Sequence, residues 1–397
     1  MKKTVYRHAQ VFTAQTDTFE SLDLLVNEET GTFEKIAADI PINQDVEVVD
    51  LSGKFVIPGM INAHTHIILD PLFKIGGLSS VNGNQSEPVV DTLIALDNLT
   101  KLLKSGITYI RDVGSTFEID LKLGKLEREG KIVTPGIIGS GSALMMTGGH
   151  GAELGREVDG PAETRKAARD LLKKGARNIK LMATGGVSID GEQPTDVQLS
   201  VAEMQAAVTE AHHKGRTACA HAQGTQGIKN AILAGVDSVE HAIYLDEEAI
   251  EMFLSNGTYI VPTLAAPWAI NQHIDLLPEF MVQKSLAVQD AHMKSIGLAA
   301  KAGVKIAMGT DAGTPFNDFE GMNALELQLM VEAGLTPLQA LQAITINAAE
   351  LLKISDHAGT IATGKLADFV VLTKNPLEDI HVIAEPKVVY KKGKKID

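Results

Sequence analysis

The chain lacks the features of a secreted, membrane-spanning or nucleic-acid-binding protein. Its 397 residues include a single cysteine, Cys219, which excludes a disulfide framework and indicates a reducing compartment. No apolar run is long enough to predict a transmembrane helix, and no apolar stretch follows the two N-terminal lysines as it would in a signal peptide. A net charge of −14 argues against nucleic acids and anionic membranes as partners. We therefore expect a cytoplasmic location.

Both ends of the chain read as β-structure. Short strand-like runs broken by Gly, Asn and Asp cover the N-terminal segment and return in the C-terminal segment. These ends predict one small β-sandwich domain built from residues 1–57 and 358–397. The remaining length suits one large barrel domain over residues 58–357.

The middle of the chain alternates helix-like runs with short apolar strands. Ser200 and Glu203 are spaced as a capping box at the start of one helix. A leucine stripe predicts the buried face of another: Leu93, Leu96, Leu99, Leu102 and Leu103. A glycine ends each of six such runs: Gly106, Gly175, Gly215, Gly235, Gly257 and Gly303. Eight strands alternate with helices, the first in "FVIPGMINAHTH" and the eighth in "VKIAMGTDAG". They predict an α/β fold, a TIM-like (β/α)₈ barrel. An open doubly wound sheet is the rival, but no Gly-rich phosphate loop supports it.

Polar side chains fall at the ends of five of the predicted strands. In this barrel the C-terminal ends of the strands form the active site. The residues there are His64 and His66, Lys180, His221, His241 and Asp311. Taken singly, each histidine could be a core residue and the aspartate a helix cap. Taken together, ligand-type residues at the same end of five strands predict a metal site.

Lys180 is the least expected of these residues, because it interrupts the apolar strand "NIKLM". A buried ammonium is costly unless it is paired, and such a lysine tends to lose its proton. Cys219 lies two residues before His221 on another strand and is interpreted as core, not as a nucleophile.

The loops after the strands should form the substrate pocket. They comprise residues 67–90, 142–160 and 183–198 and the segment around Trp268. His150, in "GGHG", Tyr244 and Arg156 are the candidate substrate-binding residues. The loops carry few basic residues, which favours a small or partly apolar substrate over a polyanion.

The segments "PGMINAHTH", "NIKLMATGG", "ACAHA", "SVEHA" and "GTDAG", with the returning end "GTIATGKLADFVVL", resemble the metal-dependent amidohydrolase superfamily. "IKLMATGG" and "GGHG" are most similar to its prolidase-like and arginine-carboxypeptidase-like branch, which is often labelled imidazolonepropionase-like. The resemblance covers nearly the whole chain. It implies a hydrolase that cleaves a dipeptide, such as Xaa-Pro, or an N-acyl amino acid.

The resemblance also implies a binuclear centre. Lys180 would be carboxylated by CO₂, and the resulting carbamate would bridge two divalent metal ions. His64, His66 and Asp311 would bind one ion, and His221 and His241 the other. Nitrogen and oxygen ligands suit Zn²⁺, with Mn²⁺, Co²⁺ and Fe²⁺ still open. A hydroxide between the metals would attack the carbonyl, and Asp311 would carry the proton to the leaving amine.

Three alternatives compete with this interpretation, and the sequence argues against two of them. A cyclic amide hydrolase with two metals stays open. A deaminase usually uses one metal, lacks the lysine and carries a Glu shortly after the histidine that ends the fifth strand. That histidine is His221 here, and the segment "HAQGTQG" that it begins contains no Glu. A non-catalytic scaffold would have lost ligands, and every ligand position is filled here. The family often forms homo-oligomers, so a homo-oligomer is expected.

Overall fold

The computed structural model describes residues 2–42, 46–72 and 87–397. The strands in chain order are β1 Lys3–Val11, β2 Glu20–Asn27, β3 Thr32–Ala37, β4 Val46–Asp50, β5 Phe55–Pro58, β6 Met60–Thr65, β7 Ile107–Asp112, β8 Gly136–Gly139, β9 Ala143–Met145, β10 Gly155–Glu157, β11 Asn178–Met182, β12 Thr217–Ala222, β13 Ser238–His241, β14 Tyr259–Val261, β15 Phe369–Leu372, β16 Val388–Lys391 and β17 Lys394–Ile396. The helices are α1 Pro88–Lys104, α2 Ile119–Arg128, α3 Pro161–Lys174, α4 Val201–His213, α5 Thr225–Leu233, α6 Glu247–Asn256, α7 Ala265–Asn271, α8 Glu279–Ala302, α9 Met322–Ala333, α10 Pro337–Ile344 and α11 Ile346–Leu351.

The two ends of the chain form one hydrogen-bonded sheet. Its strand order is β17-β16-β15-β5-β1-β2-β3, and β4 pairs with β1. The C-terminal strand β15 joins the N-terminal strand β5 in antiparallel register. Aromatic rings pack across this junction: Phe369 lies 5.0 Å from Tyr6 and 4.4 Å from Tyr390 between ring centroids. The predicted β-domain from both termini is confirmed, whereas its boundaries after residues 57 and 357 stay predictions.

Parallel strands close the barrel. β6, β7 and β8 pair in that order, and β11, β12, β13 and β14 form a second parallel run. The amide of Arg177 donates to the carbonyl of Gly139 at 2.9 Å and joins the two runs. The eighth predicted strand is held only by isolated bridges, because its hydrogen bonds alternate between β14 and β6. Ile260 donates to Lys305 at 2.9 Å, and Ala63 donates to Met308 at 2.8 Å.

The first predicted strand, "FVIPGMINAHTH", is divided at Gly59. Residues before it belong to the terminal sheet as β5, and residues after it open the barrel as β6. A Cβ atom at Gly59 would lie 2.3 Å from the Thr108 hydroxyl oxygen. Only a glycine therefore allows the chain to pass this close to β7 as it crosses from one sheet to the other.

The helix signals agree with the structure except at one end of α1. The capping box of Ser200 and Glu203 is confirmed at the start of α4. The prediction that Leu93 is buried is wrong, since its side chain is 63% exposed. The buried stripe at this end of α1 passes through Asp91, Ala95 and Asn98 instead. Asn98 holds the chain after β6 by donating to the carbonyls of Ile67 and Leu69, both at 2.9 Å.

Of the predicted pocket loops, residues 142–160 are described in full. Residues 142–160 fold back through β9 and β10 beside β11. Most of the predicted pocket loop 67–90 lies outside the described residues, which resume at 87. Within the part of the chain that the structure describes, no helix is both long and apolar enough to cross a membrane.

Candidate metal centre

The structure brings the six predicted ligand residues to one end of the barrel. His64 lies on β6 and His66 directly follows it; Lys180, His221 and His241 lie on β11, β12 and β13, and Asp311 follows the eighth strand segment. All six line one cavity. Parallel register explains this meeting, because Met182 pairs with His221 and Ala222 with His241 along neighbouring strands.

Asp311 is the point at which the first and last strands meet. The Nε2 atoms of His64 and His66 each lie 3.2 Å from its Oδ1 atom. Its backbone amide donates to the carbonyl of His64 at 2.9 Å, which fixes the carboxylate against these rings. One ligand atom each from His64, His241 and Asp311 lie within 4.8 Å of one another. This spacing is short enough for the three side chains to belong to one metal centre.

Two of these residues have a backbone conformation that L-residues rarely adopt. The φ angles of His241 and Asp311 are 71° and 62°. Both angles lie in the left-handed region, where a side chain other than that of glycine is strained. Such strain is concentrated at functional sites, where it aims a side chain at its target.

The protonation states suit metal ligands. Burial lowers the pKa of the imidazoles of His66, His221 and His241, so these rings are neutral at pH 7. Burial by itself raises the pKa of Asp311, but the facing imidazoles of His64 and His66 outweigh it and hold this pKa well below its usual value. Neutral imidazole and ionised carboxylate are the forms that bind divalent metals.

Each histidine uses one ring nitrogen for a protein acceptor, and its other ring nitrogen is left for a metal. The Nδ1 atom of His64 lies 2.6 Å from the carboxylate of Glu240, and the Nδ1 atom of His241 lies 2.6 Å from the Thr263 hydroxyl. His221 instead contacts the carbonyl of Gly185 through Nε2, at 3.0 Å. Such contacts select the tautomer and orient the ligating nitrogen.

Lys180 is a buried polar residue without a hydrogen-bond partner among the described residues. Its side chain is 1% exposed and lines the cavity with the histidines. Within the described ranges, its Nζ atom makes no hydrogen bond and has no carboxylate partner within 4.0 Å. An amine buried without a partner is costly. The neighbouring histidines and Asp311 form a donor set that fits metal binding, and Lys180 lines the same cavity without a described partner.

Sequence reasoning missed a buried charge network beneath His64. Glu240 is fully buried, and its carboxylate accepts from Arg111 Nη2 at 2.8 Å and from the Ser238 hydroxyl at 2.6 Å. Burial by itself raises the pKa of Glu240, but Arg111 and His64 lower it to about 2. The sequence contained a sign of this network, because Arg111 in "ITYIRDV" and Glu240 in "SVEHA" are charged residues within apolar strands.

We expect Glu240→Gln to destabilise the metal-free protein by about 3–5 kcal/mol, because it leaves the guanidinium of Arg111 buried without a countercharge. Zinc affinity should fall about 10- to 100-fold, because His64 loses its carboxylate partner. Denaturant unfolding and competition with a chelator measure the two effects. Asp97→Asn is the control: it breaks an exposed pair with Lys101 and should cost about 0.5 kcal/mol or less. Equal effects of the two variants would contradict the role given to Glu240.

The cavity at the barrel mouth opens to solvent, and about 970 Å³ of space free of protein atoms, part of it open solvent, lies within it. Apolar side chains form much of its wall: Leu69, Leu154, Met182, Val187, Ile243 and Ile270. Among the described lining residues, the carboxylates are Asp311 and Glu153, and burial raises the pKa of Glu153. The apolar wall suits a small, partly apolar substrate.

The three predicted substrate contacts have different placements. His150 lines the cavity, and its ring stacks on His221 with centroids 4.4 Å apart. Tyr244 is half-buried and is not among the described residues of the cavity wall. Arg156 lies on β10 with Nη1 3.7 Å from Asp170 of α3, and it is also absent from that wall. The structure thus brings one of the three candidates to the cavity.

Comparisons with known proteins give a consistent picture. A model of the amidohydrolase family matches residues 55–396. The ochratoxinase of Aspergillus niger is 34% identical over 367 residues, which cover 84% of this chain and 73% of that protein. The crystal structure of a Xaa-Pro dipeptidase with bound methionine in its active site is 31% identical, covers 99% of both chains and superimposes with a TM-score of 0.89. The imidazolonepropionase of Acinetobacter baumannii is 24% identical and covers 90% of this chain and 89% of its own.

Proposed function

Because this chain belongs to the amidohydrolase family, we propose that it is a two-metal enzyme that hydrolyses the amide bond of a small substrate. The substrate class is a dipeptide such as Xaa-Pro or an N-acyl amino acid. Hydrolysis of an amide C–N bond agrees with the named activities of its relatives. The observation that carries the two-metal proposal is Lys180, a buried amine without a partner among the described residues.

The contacts of Asp311 with His64 and His66 support the proposed division of ligands. His64, His66 and Asp311 face one another and would hold one cation. His221 and His241, whose ring centroids are 4.6 Å apart, would hold the other. Carboxylated Lys180 would lie between the two sets as an anionic bridge. Two divalent cations, with Zn²⁺ as the first choice, would supply an acidified water and polarise the substrate carbonyl.

Asp311 is the proposed proton carrier. Its carboxylate is held ionised by the facing imidazoles, so a carboxylate oxygen is free of a proton before reaction. Asp311 would take one proton from the attacking water while the oxygen of that water bonds to the carbonyl carbon. It would then give this proton to the amine nitrogen as the C–N bond breaks. The products are a carboxylic acid and an amine, with no covalent bond to the enzyme.

The apolar wall and His150 would bind the remainder of the substrate. Apolar side chains form much of the wall, which favours an apolar side chain next to the scissile bond. His150 would offer a polar contact beside His221. Homo-oligomer formation and a cytoplasmic location stay predictions.

The direct test is a screen of the zinc-loaded enzyme with dipeptides, N-acyl amino acids and cyclic amides, read by release of free amine or by ring opening. We expect turnover of linear amides and about two metal ions per chain by elemental analysis. Turnover of cyclic amides alone would transfer the proposal to an imidazolonepropionase-like activity. One metal ion per chain would favour a deaminase-like centre. A protein that binds no metal and turns over no substrate would be a non-catalytic scaffold.

Metal removal gives a second outcome. Treatment with a chelator should reduce hydrolysis to background and lower the unfolding temperature, because the ligand cluster loses the cations that hold it together. Adding Zn²⁺ back should restore both. Full activity after the bound metal has been removed would rule out the proposed chemistry.

A further inference from the structure

We infer that Glu192 and Gln198 are positioning residues that hold the His150 ring against His221 at the cavity wall. The two residues lie in the loop after β11, whereas His150 lies in the loop between β9 and β10. The inference rests on the proposed function, because it assumes that His150 contacts the substrate. It gives a role to the "GGHG" and "ATGG" segments, which the metal centre does not fully explain.

A closed ring of hydrogen bonds joins the three side chains. The Nδ1 atom of His150 contacts Oε1 of Glu192. Gln198 donates from Nε2 to Oε2 of Glu192 at 3.1 Å, and its Oε1 accepts from the backbone amide of His150 at 2.9 Å. Both the ring and the main chain of His150 are therefore fixed by one loop. His150 and Glu192 have side chains that are only 12% and 11% exposed, so water competes little for these bonds.

The glycine pair of "ATGG" lies beside the two stacked imidazoles. The amide of Gly186 donates to Oε1 of Glu192 at 2.8 Å, and the carbonyl of Gly185 contacts Nε2 of His221 at 3.0 Å. A Cβ atom at Gly186 would lie 2.4 Å from Cε1 of His150. The absence of a side chain at Gly186 thus lets the His150 ring lie in contact with the loop.

These contacts assign different tasks to the nitrogens of His150. Nδ1 carries its proton toward Glu192, so Nε2 is the nitrogen left for a substrate group. The stacking of His150 on His221, with an angle of 30° between the rings, keeps the imidazole from tilting. The loop itself is anchored from outside, because Lys284 of α8 donates to the carbonyl of Ile189 at 2.6 Å.

The first test is a double-mutant cycle on Glu192 and His150. Glu192→Ala should lower kcat/KM about 10- to 100-fold, mainly by raising KM, because a substrate-contacting ring is misplaced and the metals are untouched. Glu192→Gln keeps an acceptor for Nδ1 and should stay within about threefold of the wild type. The double variant with His150→Ala should be no slower than His150→Ala alone, since both substitutions remove one interaction.

Controls separate positioning from general damage. Glu157→Ala removes an acceptor of the Gly148 amide in the other loop and lies away from the cavity wall, so its KM should be unchanged. Metal content should be the same for all variants. Independent effects of Glu192→Ala and His150→Ala, or a Glu192→Ala variant with unaltered KM, would overturn the inference.

A spectroscopic readout keeps the inference testable even if the screen finds no substrate. Nitrogen-15 NMR of histidine-labelled protein, with His150→Ala used for assignment, should show a His150 ring protonated at Nδ1 in the wild type and in Glu192→Gln. Glu192→Ala should lose this tautomer preference. An unchanged His150 signal in Glu192→Ala overturns the positioning role, whereas an inactive wild type with the expected signals refutes only the proposed function.

Discussion

Replacing Lys180 with alanine should lower kcat by about 10³-fold or more, because it removes the only proposed ligand shared by both cations. Metal content should fall from about two ions per chain to one or none. Elemental analysis of the purified variant, together with steady-state kinetics on the best substrate of the screen, measures both effects. The variant should still fold, since a small apolar side chain replaces a buried amine that has no described partner.

The expected loss follows from the chemistry of a buried amine. In its neutral form the Nζ atom can attack CO₂, forming an N–C bond and releasing one proton, and the product is an anionic carbamate. Lys180 is 1% exposed and lines the same cavity as the histidines, where such an anion would serve as the proposed ligand of both cations. Alanine supplies no oxygen ligand, and the like charges of two cations would then be unscreened.

Two controls make this prediction specific. Cys219 pairs with Lys180 in the register of β11 and β12, is fully buried and is not part of the described cavity wall. Cys219→Ala should therefore keep metal content and turnover. A small carboxylic acid, such as propionate, should restore part of the activity of Lys180→Ala by occupying the position of the carbamate. A Lys180→Ala variant that retains two metals and full turnover would eliminate the carbamate bridge.

The arrangement of the ligand residues could be predicted because it depends on rules that act over short stretches of chain. Alternation along "NAHTH" predicts that His64 and His66 point the same way. Parallel strands place their C-terminal ends at one edge, so Lys180, His221 and His241 were expected to meet. The structure brings these residues together around one cavity.

What could not be predicted depends on tertiary contacts. The partners of the ligands come from distant strands: Glu240 lies 176 residues from His64, and no spacing rule links them. The positions of loop side chains also could not be predicted, because the path of a loop is set by its contacts with the rest of the fold. Arg156 thus lies near Asp170 of α3, whereas His150 is drawn to the cavity by Glu192.

Asp311→Asn should lower kcat about 10²- to 10⁴-fold, which is the range expected when a general acid–base group is lost, with little change in metal content. Asparagine retains one side-chain oxygen that can face a cation, but its amide cannot accept and release a proton at neutral pH. The substitution leaves the backbone contact at this position in place, because the amide of residue 311 still donates to the carbonyl of His64. The separation of turnover from metal binding is the property that distinguishes a proton carrier from a ligand alone.

A matched control is available seven residues along the same loop. Asp318 caps the turn before α9, accepting from the amides of Glu320 and Gly321 at 2.7 Å. Asp318→Asn makes the same change of charge, and asparagine caps as well as aspartate does, so turnover should be unaffected. If Asp311→Asn instead keeps near-normal kcat with two metals bound, the proton must travel by another group. If it loses its metal together with its activity, Asp311 acts chiefly as a ligand, because carboxylate charge and not proton transfer would then account for the whole effect.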